Sequence, residues 1–282
     1  MILAFGVRPE RVLGEEGRID AVPEPPKQEQ SELLVEAVHS GIAAGGHVIA
    51  IVPTWFSPDG LLRLEMARSL LDTDRLIVHE TSLPPLAATV LASLASAAGP
   101  RVPGVGLLAS LLPEFEAELH VFTWLGSVTK LSTPAPSLSQ HMASLGPGGA
   151  FGVSSWPEPS VHRLAKGDAS VPLPEIVRPS KLVVAPRSEP GTSWITHTVN
   201  GALGGLPVLE VPPTPGGPNW WGTSKLVESV VCPVDVRDLV AELSQALEPW
   251  PCRWCDELVA RSPCPVCGHR GRPLRRRASQ QP

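Results

Sequence analysis

Tyrosine is absent from this chain, lysine is scarce beside arginine (5 against 18), and charged residues make up only 18% of 282 positions. At 43% hydrophobic content the chain is too apolar to be disordered throughout. The arginine bias, with abundant Ala, Pro and Gly, reads as GC-rich coding and a bacterial origin, with no bearing on mechanism. Long apolar runs are missing too. The best candidate, Leu83 to Ala98, is shorter than the roughly 18 residues a membrane helix needs, and it contains Pro84 and Pro85. No basic stretch precedes the apolar start Ile2 to Phe5, and Arg8 interrupts it, so no secretory signal is read. A cytoplasmic protein with no membrane association is expected.

The familiar catalytic signatures are absent as well. There is no G-x-S-x-G elbow, no G-x-x-x-x-G-K-[ST] phosphate loop, no H-E-x-x-H, and no G-x-G-x-x-G after the first strand. Gly45-Gly46 precedes a strand instead of following one, which rules out a dinucleotide loop there.

What remains is enough chain for one sizeable α/β domain or two small ones. With 33 prolines and 25 glycines it is rich in loops. The net charge of −5 hides an asymmetry: Arg261, Arg270, Arg272, Arg275, Arg276 and Arg277 close the chain with no acid among them. The rest carries 17 basic against 28 acidic residues, or −11. An acidic body repels nucleic acid while a basic tail attracts it.

Runs of β-branched residues alternate with capped helical stretches. Strands are predicted near residues 2–7, 47–52, 75–79, 181–185, 206–211 and 226–231. Ser31 is read as the cap of a helix to Ala44, and Ser57-Pro58 as the start of the helix bearing Leu61, Leu62, Met66, Leu70 and Leu71. Thr81 to Pro85 opens another helix, to Ala98. A helix is read over 105–112 and a strand over 118–128. The segment 131–149 reads as a loop, 150–155 as a strand and 160–165 as a short helix. Thr192 or Ser193 is predicted to cap a helix to Leu203, Pro212 to Gly222 is a loop, and Asp235 caps 236–247. The fold class implied is α/β: a mostly parallel, Rossmann-like sheet flanked by helices. The body would end at residue 249, possible βαβ halves falling at about 1–130 and 150–249. A small module would follow over 250–270 and a basic disordered tail over 271–282.

Cysteine carries the sharpest signal. Cys252-Arg-Trp-Cys255 and Cys264-Pro-Val-Cys267 are separated by eight residues. Two CxxC turns each present two thiolates at tetrahedral angles, which suits Zn²⁺. Residues 250–270 resemble the zinc-ribbon or zinc-knuckle class, and no other part of the chain resembles a known family. Four thiolates imply a closed, structural zinc site. Trp250 and Trp254 either cover this small module or offer a stacking surface. Cys232, beside Pro233, reads as a buried thiol.

A parallel sheet places ligands at the carboxyl ends of its strands. The candidates there are Thr54, His79, Glu80, Arg187, Ser188 and Thr192, with His79 and Glu80 as an acid–base pair and Arg187 as an anion contact. Arg270, Arg272, Arg275, Arg276 and Arg277 are candidate phosphate contacts. Three functions compete. The leading expectation is a non-catalytic adaptor that docks a protein partner through its zinc ribbon. The alternatives are a nucleic-acid-associated factor using ribbon and tail, and an enzyme or small-ligand sensor using the strand ends.

Overall fold

The computed structural model describes residues 1–5, 19–22, 28–44, 46–55, 59–146, 149–164 and 171–271. The first quarter of the chain is the parallel α/β unit expected. Strands β1 (Ile2–Phe5) and β2 (Ile19–Val22) are followed by α1 (Gln28–Ala43), β3 (Val48–Pro53), α2 (Asp59–Leu70) and β4 (Leu76–Thr81). They form a four-stranded sheet in the order β2-β1-β3-β4, every pair parallel. β2 is not among the strands expected from the sequence. Alternate residues serve the two faces, as the two-residue period of a strand requires. Leu3, Phe5, Val48, Ala50 and Val52 pack with Leu34 of α1 and Leu64 of α2. Ile2, Ala4, Ile49, Ile51 and Ile77 point the other way, into the main core.

That core is organised by α3 (Pro85–Ala98), whose fourteen residues are all buried. Proline at the first helical position and a run of Ala and Leu make this segment a strong helix former. A short 3₁₀ turn (Gly99–Arg101) reverses the chain into α4 (Val105–Ala117). The remaining elements are β5 (His120–Leu125), α5 (Leu138–Ser144), β6 (Phe151–Trp156), β7 (Ser160–Arg163) and β8 (Ser180–Ala185). Next, α6 (Glu189–Ser193) continues through a π-helical stretch (Trp194–Val199) into α7 (Asn200–Ala202). Then come β9 (Val208–Glu210), α8 (Gly217–Trp221), β10 (Leu226–Pro233) and α9 (Val236–Ala246), capped by the Asp235 carboxylate on the Arg237 N–H at 2.7 Å. The hairpin of β11 (Trp250–Pro251) and β12 (Leu258–Val259) belongs to the cysteine module.

The expectation of one mostly parallel, Rossmann-like sheet is wrong. β8, β9 and β10 join a second, six-stranded sheet in the order β7-β6-β5-β10-β8-β9. In it only β8 and β9 are parallel; all other neighbours are antiparallel. The reason lies in burial. Val183, Ala185, Val230 and Cys232 face the core around α3, while Leu182, Val184, Val227 and Val231 pack with Ile195 and Val199. A strand covered on both faces shows no polar alternation, whatever the direction of its neighbours, so the apolar runs carried no sign of strand direction.

Smaller corrections follow from local chemistry. The helix expected at 160–165 is β7. The loop expected at 131–149 contains α5, opened by a capping box in which Ser137 and Gln140 serve each other's backbone N–H. The loop at 212–222 contains α8. The helix expected to be capped by Thr192 or Ser193 starts at Glu189, with Ser188 in the N-cap position. The Ser57-Pro58 cap and Gly45 lie outside the described residues. Among the described residues no helix is long and apolar enough to cross a membrane.

Truncating α3 should be costly, because both sheets rest on it. Leu91 is fully buried in the main core. Leu91→Ala should cost about 3 kcal/mol in urea unfolding. A loss below about 1 kcal/mol would show that the two sheets do not depend on this helix.

Candidate functional site

The four cysteines of the C-terminal module converge, as their spacing requires. Their sulfurs lie within 4.8 Å of one another. The Sγ atoms of Cys252 and Cys267 are 3.6 Å apart, and those of Cys255 and Cys264 are 3.8 Å apart. These separations are far from a disulfide bond of about 2.05 Å. They match the edge of a tetrahedron about a metal with metal–sulfur bonds of about 2.3 Å, which is roughly 3.8 Å. The two CxxC turns repeat one geometry. Asp256 N–H donates to the Cys252 carbonyl at 3.0 Å, and Gly268 N–H to the Cys264 carbonyl at 2.8 Å. Asp256 and Gly268 both take left-handed φ, 58° and 72°. Burial, followed by crowding among the thiols, pushes Cys255 up. Burial also raises Cys252, but the backbone N–H groups of Cys255 and Trp254 and the thiols of Cys267 and Cys255 together outweigh it and bring that thiol down to about 7. A divalent cation suits such a cluster because it takes all four groups as thiolates.

The module has almost no core of its own: Cys252, Val259 and Cys264 are its buried apolar residues among those described. It leans on α4 instead. Ala260 N–H donates to Ser110 Oγ and Arg261 Nε–H to the Ser110 carbonyl, both at 3.0 Å. Arg261 also pairs with Glu114. Gly106 makes this contact feasible, since a Cβ there would stand 2.7 Å from the Leu258 carbonyl oxygen. Trp250 packs into the module as cover. Trp254 does not; it is 78% exposed and stacks on the ring of His269.

A second constellation gathers at the start of α3. Glu228 is an acid in the middle of the apolar strand β10, and its side chain is 1% exposed. Its Oε1 accepts from the Leu86 N–H in the first turn of α3 at 3.3 Å and from Trp221 Nε1–H at 3.1 Å. Its Oε2 accepts from the Thr214 hydroxyl. A Cβ at Gly217 would lie 2.8 Å from that oxygen, so glycine leaves room for the carboxyl. Arg187 donates to the Thr214 carbonyl, and its charge favours the ionised acid. Burial nevertheless prevails and pushes Glu228 above the usual carboxylate range. Thr123, opposite Glu228 on β5, is fully buried and its hydroxyl has no hydrogen-bond partner among the described residues. Trp55 roofs this region, its Nε1–H on the Leu83 carbonyl at 2.9 Å and its ring 6.0 Å from that of Trp220. The Nε1–H of Trp220 is buried and without a partner among the described residues.

The strand-end residues read from the sequence do not form one pocket. His79 turns to α4, its Nε2 2.9 Å from Glu116 Oε1. Glu80 and Thr54 are exposed. The Thr54 N–H donates to the Thr81 carbonyl at 2.7 Å. Arg187 joins the Glu228 group. Ser188 caps nothing with its side chain, and its carbonyl accepts from the Thr192 hydroxyl at 3.1 Å. Cys232 is fully buried, and burial pushes its thiol up to about 12, as expected of an inert thiol. Arg270 is exposed; Arg272, Arg275, Arg276 and Arg277 lie outside the described residues. Sequence reasoning missed Glu228, Thr214 and the Trp55–Trp220–Trp221 group. The signal for the first was present: a lone acid inside LVESVVCP must find buried partners.

No protein-family model matches the chain, and no curated protein matches its sequence. Solved structures do share its fold. A DegV family protein from Corynebacterium glutamicum matches with a TM-score of 0.53 at 10% identity, over 83% of this chain and 96% of that one. A DegV family protein from Eubacterium eligens loaded with heptadecanoic acid matches at 0.52 and 10%, over 83% and 99%. The fatty acid kinase B3 protein of Streptococcus pneumoniae loaded with linoleic acid matches at 0.50 and 9%, over 83% and 99%. The leading expectation, a non-catalytic adaptor that docks a protein partner through its zinc ribbon, is corrected by this likeness: the body shares its fold with these proteins.

Because folding raises the Glu228 carboxyl, the folded chain holds this proton more tightly than the unfolded chain does. Its contribution is therefore full below the unfolded value of about 4.3 and declines as pH rises toward the folded value. Glu228→Gln keeps the acceptor for Leu86 and Trp221 and removes the titration. Urea midpoints of wild type and variant should lie closest at about pH 4 and separate in the variant's favour by pH 8. A difference that does not vary with pH would show that Glu228 is ionised throughout.

Proposed function

We propose that this chain is a carrier for a long-chain fatty acid, or a ligand of that shape. The acyl chain would lie in the apolar interior around α3 and the head group at the opening of that helix. The observation that carries the reading is the shared architecture: solved structures with the same two sheets about a central helix hold heptadecanoic and linoleic acid. The chain's own residues supply supporting chemistry. The exposed arginine Arg187 stands over the Glu228 group, and Trp220 offers a buried N–H without an acceptor among the described residues. A carboxylate satisfies both, as an ion pair with the first and a charge-assisted hydrogen bond with the second. The Leu86 N–H is already taken by Glu228, so the first turn of α3 does not provide that donor. Such a role needs no catalytic group, in keeping with the missing signatures. It replaces the adaptor reading with the ligand-sensor alternative.

Titrating delipidated protein with a fluorescent fatty acid and displacing it with palmitate tests this reading. Binding is expected in the micromolar range or tighter. Arg187→Ala and Trp220→Phe should each weaken it about tenfold, in line with loss of a charge-assisted hydrogen bond. Absence of saturable palmitate displacement would remove the proposal.

The cysteine module fits the same reading as a structural element. One Zn²⁺ per chain, held by Cys252, Cys255, Cys264 and Cys267, would fold the ribbon against α4. Metal analysis should return about one zinc per chain. Cys264→Ser should lose it and open residues 250–271 to protease while the two sheets stay folded. Protein purified without chelator and found free of zinc would overturn this assignment.

A further inference from the structure

A cavity of about 360 Å³ lies at the far end of α3, away from Glu228. Its body is apolar, formed by Ile2 of β1, Ala95 near the end of α3, Val102 in the connection that follows, and Val105 and Leu108 of α4. Its mouth is polar. His47 lines it, and Glu257 of the cysteine module stands beside it with Oε1 3.9 Å from His47 Nε2. The other oxygen of Glu257 accepts from the Gly106 N–H at 3.4 Å. Both contacts are long against a normal hydrogen bond of about 2.9 Å. The side chain is only 25% exposed, so this carboxylate has lost most of its water without gaining close donors among the described residues. Gly104, with φ of +103°, lines the cavity at the same point. A Cβ there would be 3.4 Å from Glu257 Oε2, closing the space around the carboxylate.

An under-coordinated carboxylate above an apolar floor calls for a cation with an apolar body. Among the described residues no Lys or Arg lines the cavity. The Met1 ammonium, which does, is engaged by the His47 carbonyl at 3.0 Å. We propose that this cavity binds a small primary amine, with its ammonium on Glu257 and its hydrocarbon body on Ile2, Ala95, Val102 and Leu108. The volume suits a ligand of about ten heavy atoms with some room to spare. Glu257 is presented by the ribbon, two residues after Cys255, so the site exists only when the ribbon is folded. The proposal does not depend on the fatty-acid reading.

The test uses the full-length protein, its metal content measured, titrated with 2-phenylethylamine and with 3-phenylpropionate. Calorimetry or ligand-observed NMR reads the affinity. The amine should bind, and the carboxylate should bind at least about tenfold more weakly. Glu257→Gln should weaken the amine about tenfold while metal content and melting temperature stay unchanged. Val102→Trp, which fills the cavity and leaves Glu257 in place, should abolish binding. No amine binding at millimolar concentration would overturn the proposal. So would equal affinity for the carboxylate, which would point to the Met1 ammonium, or a Glu257→Gln variant that binds as well as wild type.

Discussion

The whole structure depends on one helix being buried on every side. α3 lies between the parallel sheet and the mostly antiparallel one, and all fourteen of its residues are buried. Two sheets can approach a helix this closely only if its surface is thin, which explains the run Pro-Leu-Ala-Ala-Thr-Val-Leu-Ala-Ser-Leu-Ala-Ser-Ala-Ala. Small residues let the sheets come in, and the leucines fill what remains. Where the helix carries hydroxyls they are buried as well, and Thr89 returns its own to the Pro85 carbonyl.

A helix with no free side confines polar chemistry to its ends. At the start, Glu228 receives the Leu86 N–H and draws Thr214, Trp221 and Arg187 around it. At the finish, the 3₁₀ turn carries Arg101, whose guanidinium satisfies the Ala97 carbonyl, and the chain reverses into α4. α4 then becomes the shelf for the cysteine module. Glycine at 106 and the two polar faces of Ser110 let that module lie flat on it. A ribbon with three buried apolar residues gains from α4 the contact area that it cannot supply itself.

The same burial decided what was legible in the sequence. Element existence read well wherever a β-branched run or a cap marked it: β3, β4, β8, β10 and α9 fall where they were expected. Strand direction did not, because β8 and β10 are as apolar as β3, and only sheet pairing separates them. The cysteine cluster was legible in full, since metal spacing is local along the chain. The Glu228 group was not. Its members come from β10, the loop before α8, the first turn of α3 and the end of β8, so no window of sequence contains them. His79 is a separate case. Strand-end position suggested a ligand site, but its inward face met Glu116 of α4 and spent the imidazole on that contact.

Architecture can persist at 10% identity because it fixes volumes and periods, and many apolar residues satisfy the same volume. Chemistry at the ends of α3 has no such tolerance. One carboxyl at position 228 takes the helix-terminal N–H, demands Thr214 and Trp221 as partners, and excludes a side chain at Gly217. Those four residues stand or fall together: removing any partner leaves a buried acid short of a donor, at a cost of about 1–3 kcal/mol. Around Glu228, the guanidinium of Arg187 and the Trp220 N–H, which has no acceptor among the described residues, are the groups suited to an anion.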